Sequence, residues 1–419
     1  MNVLMVGNGA YPDEIGGAHV YVYDLARHLV RLGHAVTVLV PKARPELPQT
    51  EVVQGVTYVR YDHAASRDPV RWRWQFVRGA RNAFSRLAAD GSFDVIHGHW
   101  PHPAAGVIGH PAARSALKVY TLHAPFFEEE RVEAAVLRRG NRHRPRDLAK
   151  AMWVPVSLCE KRHRERAVLR QCSTVFVLSR FMRQRANACF GTPDSRLNVI
   201  PGGVDTERFH PVDESIRQEI RAGLNIAPRT TMLLTVRRLV PRMGLPNLIL
   251  ALDIVRRLEP RVLLCIGGAG PLEPSLEALV EQLSLQRHVR LLGFVPAERL
   301  ADWYRAADFF VMPSEFLEGF GLATIEAMAC GTPALGTPVG GTPEILAGLD
   351  SRLLLEGTAP EHIADGIIEL LHERSGSLRN DAARYAREKY SWLIVARRIE
   401  AVLLEALAGR EAHCGVCQQ

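Results

Sequence analysis

The sequence has few of the features that mark secreted or membrane-spanning proteins. Its seven cysteines are scattered over 419 residues and odd in number, which favours a reducing compartment. No apolar run approaches the roughly 20 residues that a membrane-spanning helix needs. Residues 1–7 lack a basic leader and predict a first strand instead of a signal peptide. We therefore expect a cytoplasmic protein.

Metal-binding patterns are equally scarce. Cys414 and Cys417 form one C-x-x-C in the tail, whereas a structural zinc site needs a second pair. His97, His99 and His102 are close in sequence, but they lie at a strand end next to two prolines, and helical ligand spacing is absent. We favour packing or substrate contacts for these histidines, and we expect neither a metal ion nor another cofactor.

Lysine is rare, with only five among the 52 basic residues, and this arginine bias is typical of a GC-rich bacterial genome. The net charge is +7, and residues 131–170 alone hold 12 Arg or Lys against 4 Asp or Glu. Such a basic segment can meet an acidic membrane surface or an anionic substrate, or it can form a solvated helix face. No nucleic-acid-binding signature is present, so we expect no nucleic acid partner.

Short buried strands alternate with amphipathic helices, a pattern that predicts parallel α/β sheets. The predicted strands are Val3–Val6, Ala35–Val40, Val56–Tyr61, Val95–His97, Val119–Leu122, Val175–Leu178, Asn198–Ile200, Thr231–Val236, Val262–Ile266, Val289–Leu292 and Phe309–Met312. A composition break begins at Pro201-Gly202-Gly203. We predict doubly wound domains at 1–203 and 204–385, a closing helix at 386–410 and a flexible tail at 411–419.

The most informative stretch is 314–333. It follows the strand Phe309–Met312. Two glycines around Phe320 give the backbone conformational freedom, and a helix is predicted over Leu322–Cys330. A loop that leads into a helix N-terminus favours an anionic ligand. Glu318 and Glu326 lie in the loop and about one turn into the helix, and carboxylates accept sugar hydroxyls. The stretch therefore predicts a phosphorylated sugar as ligand.

Other candidates also follow predicted strands, where ligands bind in open α/β sheets. His123 comes directly after Val119–Leu122, and residues 124–130 make a candidate acceptor loop. The first βα turn contains Gly16-Gly17 but lacks the full G-x-G-x-x-G, so its phosphate signal is weak alone.

Part of the stretch, from Glu318-Gly319-Phe320-Gly321 through Glu326-Ala327 to Gly331-Thr332-Pro333, resembles the E-x7-E signature of family 4 retaining glycosyltransferases. The resemblance covers nearly the whole chain. It implies the GT-B fold, in which two Rossmann-like domains face each other across a cleft and a C-terminal helix crosses back to the N-terminal domain. It also implies transfer of a hexose or N-acetylhexosamine from a nucleotide sugar, most often a UDP-sugar, to an acceptor hydroxyl.

The resemblance assigns roles to individual residues. Catalytic roles fall to His123, Glu318 and Arg238, and Arg238 would bind the donor pyrophosphate. Donor binding is implied for Gly17, Arg238, Gly293, Val295, Glu318, Phe320, Gly321, Leu322 and Glu326. Candidate acceptor contacts are Tyr11, Asp13, His99, Phe126 and Glu128.

One departure concerns charge. The family usually has a lysine just before the glycine of its arginine-containing loop, and this sequence has Met243 there. A pyrophosphate carries about two negative charges that must be offset in the transition state. We therefore predict that Arg242 or Arg237 substitutes for the lysine.

The mechanism expected from the resemblance needs no metal, because the sequence has no D-x-D pair to clamp a metal-bound pyrophosphate. Family members are thought to retain the anomeric configuration by front-face attack. Three interpretations remain open: transfer to a small or natural-product acceptor or growing glycan, transfer to a lipid-linked or polysaccharide acceptor at the inner membrane face through segment 131–170, or nucleotide-sugar binding without catalysis.

Overall fold

A computed structural model of the chain describes residues 1–14, 16–63, 69–132, 145–373 and 377–416. The basic segment 131–170 falls partly outside these residues, as does Cys417. The chain divides into two compact units. The first comprises residues 1–130, 145–202 and 392–416, and the second comprises residues 203–391.

The first unit is built on an eight-stranded sheet with the order β3-β4-β2-β1-β5-β6-β7-β8. Its strands are β1 (Asn2–Val6), β2 (Ala35–Pro41), β3 (Thr50–Val53), β4 (Val56–Tyr61), β5 (Val95–Gly98), β6 (Leu117–Leu122), β7 (Thr174–Val177) and β8 (Leu197–Val199). The seven predicted strands of this unit are present, with bounds within two residues.

Strand β3 was not predicted, and it pairs antiparallel with β4, so the expectation of a purely parallel sheet is wrong at this edge. Only two residues separate the strands. Gln54 and Gly55 both have positive φ, 51° and 79°, which is typical of a tight hairpin turn. The strand is four residues long and half exposed, so its apolar signal is weak.

Helices cover both faces of the first sheet. They are α1 (Gly17–Arg31), α2 (Pro69–Asp90), α3 (Pro101–Ile108), α4 (Pro145–Gln171) and α5 (Arg180–Phe190), and residues 126–132 add a further helical segment. In α1, residues Tyr21, Val22, Leu25, Ala26 and Leu29 are buried. These positions recur at intervals of three and four, as one face of an amphipathic helix requires.

The second unit contains a five-stranded parallel sheet with the order β11-β10-β9-β12-β13. Its strands are β9 (Thr231–Val236), β10 (Val262–Gly267), β11 (Val289–Gly293), β12 (Phe309–Met312) and β13 (Ala334–Gly336). The four predicted strands are confirmed, whereas β13 is only three residues long and was missed. The helices are α6 (Glu214–Gly223), α7 (Leu245–Leu258), α8 (Glu273–Gln282), α9 (Ala297–Ala306), α10 (Leu322–Ala329), α11 (Thr342–Leu346), α12 (Pro360–Glu373) and α13 (Ser377–Tyr390).

The last helix, α14 (Trp392–Val416), belongs to the first unit. The Trp392 ring is 2% exposed and lies 5.0 Å from the ring of Tyr21. Farther along the helix, Glu400 Oε1 pairs with His34 Nε2 at 2.6 Å. The helix begins six residues after the predicted start because α13 continues to Tyr390, and it extends six residues past the predicted end.

Both sheets contain a point where the strand order changes direction. In the first sheet β1 lies between β2 and β5, and in the second sheet β9 lies between β10 and β12. Loops that leave neighbouring strands at such a point run in opposite directions and open a crevice at the carboxyl edge. Ligand-binding residues are therefore expected at this edge of each sheet. No described helix is both long enough and apolar enough to cross a membrane.

Candidate active site

In the second unit, the loops that follow β9 and β12 meet at the switch point. The backbone N–H groups of Glu315 and Phe316 both donate to the carbonyl of Arg242, at 3.0 and 3.3 Å. Gly244 has φ 69°, and a Cβ there would lie 1.8 Å from the Pro313 carbonyl oxygen. Only glycine allows the two loops to approach this closely, so Gly244 determines how the loops after β9 and β12 pack at the base of the crevice.

Glu318 is held at this crevice by two donors. Arg237 Nη2 donates to Glu318 Oε2 at 2.8 Å, and Ser314 Oγ donates to the same oxygen at 3.0 Å. The Glu318 side chain is 14% exposed. Its backbone is equally constrained, because the Gly341 N–H donates to the Glu318 carbonyl and a Cβ on Gly340 would lie 2.0 Å from that oxygen. The arrangement presents a positioned carboxylate that stays reachable by a small ligand.

Helix α10 begins directly after this loop. Its N-cap residue is Gly321, with φ 101°, and no side chain caps the first turn or adds an acid to it. The adjacent Phe320 is 4% exposed and lies 5.7 Å from the Tyr390 ring, which anchors the entry to the helix. An uncapped N-terminus with its positive dipole end favours an anion. Anion binding at the start of α10 stays a prediction, and the helix start carries neither a side-chain cap nor an acid that would oppose it.

Glu326 lies on the first turns of α10 and accepts a hydrogen bond from the buried Tyr304 hydroxyl at 2.9 Å. Gly293 is the last residue of β11, and Val295 lies in the loop that follows it. The Gly293 carbonyl accepts the N–H of Gly268 at 2.7 Å, and a Cβ on Gly267 would lie 2.7 Å from Val295 Cγ2. The loops after β10 and β11 therefore pack on each other at the same sheet edge as Glu318.

The three neighbouring arginines have different surroundings. Arg238 is exposed, whereas Arg242 is buried and its Nη1 donates to the Leu317 carbonyl at 3.2 Å. The Arg237 side chain is 6% exposed. Among the described residues, no partner accepts from its buried Nε or Nη1. Burial lowers the pKa of Arg237, Glu318 opposes that shift, and the charges of Arg242 and Arg238 add to it.

Met243 is 7% exposed and packs into the core, so it supplies no charge to the crevice.

The first unit has histidines at its carboxyl edge. His123 follows β6, and its Nε2 lies 3.3 Å from His99 Nδ1, while His97 Nε2 lies 2.7 Å from Thr121 Oγ1. Burial lowers the pKa of His97 and of His123 to about 3, and it lowers that of His99 well below its usual value. These imidazoles are therefore neutral near pH 7, and they can exchange hydrogen bonds with hydroxyl groups without carrying charge.

The first βα turn of this unit is close to the same histidines in the fold. Gly17 is exposed and is the first residue of α1. His19 in the first turn of α1 makes a hydrogen bond between its Nε2 and Asn8 Oδ1 at 3.1 Å. The glycine turn thus leads into a second helix without a side-chain cap.

Two of the candidate acceptor residues are engaged in ion pairs. Asp13 accepts from Arg60 Nη2 at 3.0 Å. Glu128 is 2% exposed and pairs with Arg185. Their carboxylates are thus occupied by arginines distant in sequence.

Two others lie among aromatic rings. Tyr11 lies 5.0 Å from the Tyr23 ring. Phe126 packs 4.7 Å from Trp100 and beneath Lys161 Nζ, which is 4.1 Å from its centroid.

A cavity of about 220 Å³ in the first unit contains residues that the sequence did not single out for binding. It is lined by Asn8, Glu14, Pro41, Lys42, Ala43, His63, Phe76, Trp100 and His102. Lys42, His63 and Trp100 follow strands β2, β4 and β5 closely. A position just past a strand end was the sequence signal that could have identified these three residues. Together they supply one cation, one imidazole and one aromatic ring.

Among the described residues, no group of three or more histidine, cysteine, aspartate or glutamate side chains is arranged to hold a metal ion. His97 in β5 and His99 just after it have ring centroids 4.1 Å apart, and His97 and His102 pack against Phe176 and Phe126. Metal independence remains a prediction.

Comparison with known proteins places both units in one group of enzymes. Residues 15–208 match the family model "Glycosyltransferase Family 4", and residues 216–389 match "Glycosyl transferases group 1". D-inositol 3-phosphate glycosyltransferase 1 of Catenulispora acidiphila is 30% identical over 414 residues, which cover 94% of this chain and 92% of that protein. A GDP-mannose-dependent alpha-(1-6)-phosphatidylinositol monomannoside mannosyltransferase of Mycolicibacterium smegmatis is 33% identical over 58% of this chain and 64% of its own.

Solved structures give the fold independently. Sucrose-phosphate synthase of Thermosynechococcus elongatus superposes with a TM-score of 0.79 at 21% identity and covers 97% of this chain and 99% of its own. WaaG, a glycosyltransferase involved in lipopolysaccharide biosynthesis, has a TM-score of 0.71 at 17% identity and covers 96% and 99%. With its two parallel-sheet units and these matches, the chain is a glycosyltransferase that belongs to family 4 and has the GT-B fold.

Proposed function

We propose that the chain transfers a hexose or N-acetylhexosamine from a nucleotide sugar to an acceptor hydroxyl, with retention of the anomeric configuration and without a metal ion. The observation that carries this proposal is the convergence of Glu318, Arg237 and the uncapped N-terminus of α10 at one switch point. A carboxylate for sugar hydroxyls next to two sources of positive charge fits a sugar attached to a phosphate.

In this proposal the leaving nucleotide is stabilised by fixed positive groups. Arg238 and the N–H groups at Gly321 offset the charge that develops on the departing phosphate, and they need no reorganisation at the moment of transfer. Glu318 binds sugar hydroxyls, while Glu326, oriented by Tyr304, binds the ribose. The neutral His123 donates a hydrogen bond to the transferred sugar.

The relatives guide the choice of substrates to test. Their names include an inositol phosphate acceptor and a phosphatidylinositol monomannoside acceptor, and one group is named for GDP-mannose. We propose a UDP-sugar as donor and treat GDP-mannose as the competing candidate. For the acceptor we propose a small polyol or natural product, or a growing glycan.

A membrane-surface acceptor is the second candidate. It is favoured by the basic segment 131–170 and by the relatives named for phosphatidylinositol mannosides. The observation that would separate it from the first candidate is transfer that depends on anionic vesicles.

The first experiment measures donor hydrolysis by mass spectrometry, with UDP-, GDP-, ADP- and dTDP-sugars offered in parallel. We expect slow release of one nucleotide by the wild-type protein and at least a hundredfold less by Glu318→Gln, as for the loss of one transition-state contact. Glu315→Gln is the matched control, since Glu315 lies in the same loop but is exposed. If Glu318→Gln hydrolyses the donor as fast as the wild type, the assignment of the site is wrong.

The second experiment adds acceptors to the donor so identified: free inositol phosphates, simple glycosides, and phosphatidylinositol in vesicles. Proton NMR of the product gives the anomeric configuration, and EDTA tests the need for a metal. An inverted product or loss of turnover in EDTA would contradict the proposed mechanism. Tight donor binding without turnover on any acceptor would instead support a non-catalytic binding protein.

A further inference from the structure

The Arg237 guanidinium is a buried cation with incomplete hydrogen bonding. Its Nη2 donates to Glu318 Oε2 at 2.8 Å, and its side chain is 6% exposed. Within the described part of the chain, its Nε and Nη1 are buried without a hydrogen-bond partner. Buried polar groups in native proteins are nearly always paired, so two unpaired donors on one guanidinium call for a missing acceptor.

The position of Arg237 limits what that acceptor can be. Arg237 follows β9 and Glu318 follows β12, so their ion pair spans the switch point where ligands of such sheets bind. Nε and Nη1 point to opposite sides of the guanidinium, so each needs its own acceptor, and a charged guanidinium donor bonds most strongly to an anionic oxygen such as that of a phosphate. If the ligand were a single neutral hydroxyl, one of the two donors would stay without an acceptor. Glu318 alone would then neutralise the charge of Arg237.

Arg242 is the other candidate for the missing positive charge, and its contacts are of a different kind. Its Nη1 donates to the Leu317 carbonyl, and its own carbonyl accepts the N–H groups of Glu315 and Phe316. These bonds join the loops after β9 and β12. Arg242 therefore joins the two loops, and one of its buried nitrogens, Nε, has no acceptor among the described residues, against two such nitrogens in Arg237, which also contacts Glu318.

We propose that Arg237 binds the phosphate that links the donor sugar to its nucleotide, and that the same guanidinium fixes the orientation of Glu318. This inference rests on the proposed function and identifies which arginine replaces the charge absent at Met243. Because Nη2 occupies Glu318 Oε2, Oε1 remains to accept a sugar hydroxyl. One of the two unpaired donors, Nε or Nη1, then donates to an oxygen of the adjacent phosphate, so one residue couples recognition of the phosphate to recognition of the sugar.

The test compares nucleoside mono- and diphosphate binding by isothermal titration calorimetry, with the base set by the donor found active. We expect Arg237→Gln to weaken diphosphate binding about 10- to 100-fold, the loss of one or two charge-assisted hydrogen bonds, and monophosphate binding by less than about twofold. Arg237→Lys keeps the charge without the fork and should bind the diphosphate with intermediate affinity.

Arg257→Gln is the matched control, because it removes one charge from an exposed position on α7 and should leave both affinities unchanged. Thermal unfolding of each variant confirms folding, and Arg237→Lys carries the test if the glutamine variant does not fold.

Three outcomes would overturn the inference. Equal diphosphate affinity in Arg237→Gln and wild type would remove Arg237 from the phosphate site. Equal losses for mono- and diphosphate would point to a general effect on the nucleotide site. A loss confined to a nucleotide-linked uronic acid would show that Arg237 reads an acidic sugar. If the wild-type protein binds no nucleoside diphosphate, the proposed function itself fails together with this inference.

Discussion

The two edges of the second sheet both carry arginine clusters, but the clusters differ in how their hydrogen bonds are used. At the amino edge, Arg217, Arg221 and Arg379 donate to carbonyls at the end of α9, and the first two also pair with Asp308. At the carboxyl edge, Arg237 leaves two buried donors unpaired among the described residues.

The amino-edge cluster has a sufficient structural explanation. The last carbonyls of a helix lack intrahelical partners and form the negative end of its dipole, so cations there are stabilising. Arg221 Nη1 reaches the Ala306 carbonyl at 2.6 Å, and Arg379 Nη1 reaches that of Ala307 at 2.9 Å. Arginine content alone therefore does not mark a ligand site, because carbonyls and carboxylates of the fold can use the donors of a buried arginine.

Removing the acid of the amino-edge cluster should have the largest effect on stability. Among the described residues, Asp308→Asn leaves the buried Arg221 without a carboxylate partner and leaves Arg217 only Glu214, and it weakens the bond to the Met232 N–H. We expect the free energy of unfolding in urea to fall by about 3 kcal/mol, the low end for breaking a buried ion pair because the Asp308 side chain is 31% exposed. Nucleotide affinity should stay unchanged.

The exposed Asp381, which pairs with Arg384, provides a control. Asp381→Asn should change stability by less than about 0.5 kcal/mol. A variant Asp308→Asn that folds normally but loses nucleotide affinity would erase the distinction between the two edges.

At the carboxyl edge, removing both charges together should not destabilise the protein. The double variant Arg237→Met/Glu318→Gln replaces a buried ion pair by neutral side chains and removes two unpaired donors. We expect unchanged stability or a gain of up to about 2 kcal/mol, measured by urea unfolding, with loss of transfer activity. The single variant Glu318→Gln should be less stable than the double one, because it leaves the Arg237 charge alone. A double variant that is less stable than both single variants would contradict this account.

Arg242 tests the division of roles within the carboxyl edge. Arg242→Gln removes a buried hydrogen bond to the Leu317 carbonyl and should lower the free energy of unfolding by about 1.5 kcal/mol. Nucleoside diphosphate affinity should fall less than in Arg237→Gln. A larger loss of affinity in Arg242→Gln would transfer the phosphate role to Arg242.

The histidines of the first unit extend the comparison to neutral groups. The folded pKa of His97 is about 3, below the ordinary 6.5, so the unfolded chain takes up the proton first as the pH falls. The resulting stability is fully present above about pH 6.5 and declines toward pH 3. Between pH 6 and pH 5, we expect the free energy of unfolding of His97→Asn to fall by about 1 kcal/mol less than that of the wild type. Urea unfolding at pH 8, where His97 is neutral in both the folded and the unfolded chain, corrects for the effect of the substitution itself. If the free energy of unfolding falls equally with pH in both proteins, His97 is not buried in its neutral form.

Much of the fold was predictable because it depends on local patterns. Strand β12, the glycines around Phe320 and helix α10 follow from apolar runs and turn residues within about twenty positions. The strands β3 and β13 were missed because they contain four and three residues, too few for an apolar period to stand out.

The roles of charged side chains were less predictable. Asp13 and Glu128 are predicted acceptor contacts, a role that stays a prediction, and the fold pairs them with Arg60 and Arg185, which are 47 and 57 residues away. Such partners are chosen by the packing of strands and helices, and no local pattern reports them. The same limit left Arg237 and Arg242 as equal candidates, although their contacts in the fold are different.

By itself the sequence determined the two α/β units, the loop that carries Glu318 and Glu326, and the family, because each depends on residues close together along the chain. Only the tertiary structure shows which carboxylates pair with arginines, which buried arginine donors have no acceptor among the described residues, and which glycines allow the loops to meet. These are properties of distance and burial, since a buried guanidinium is structural or functional according to the acceptors that the rest of the fold brings to it.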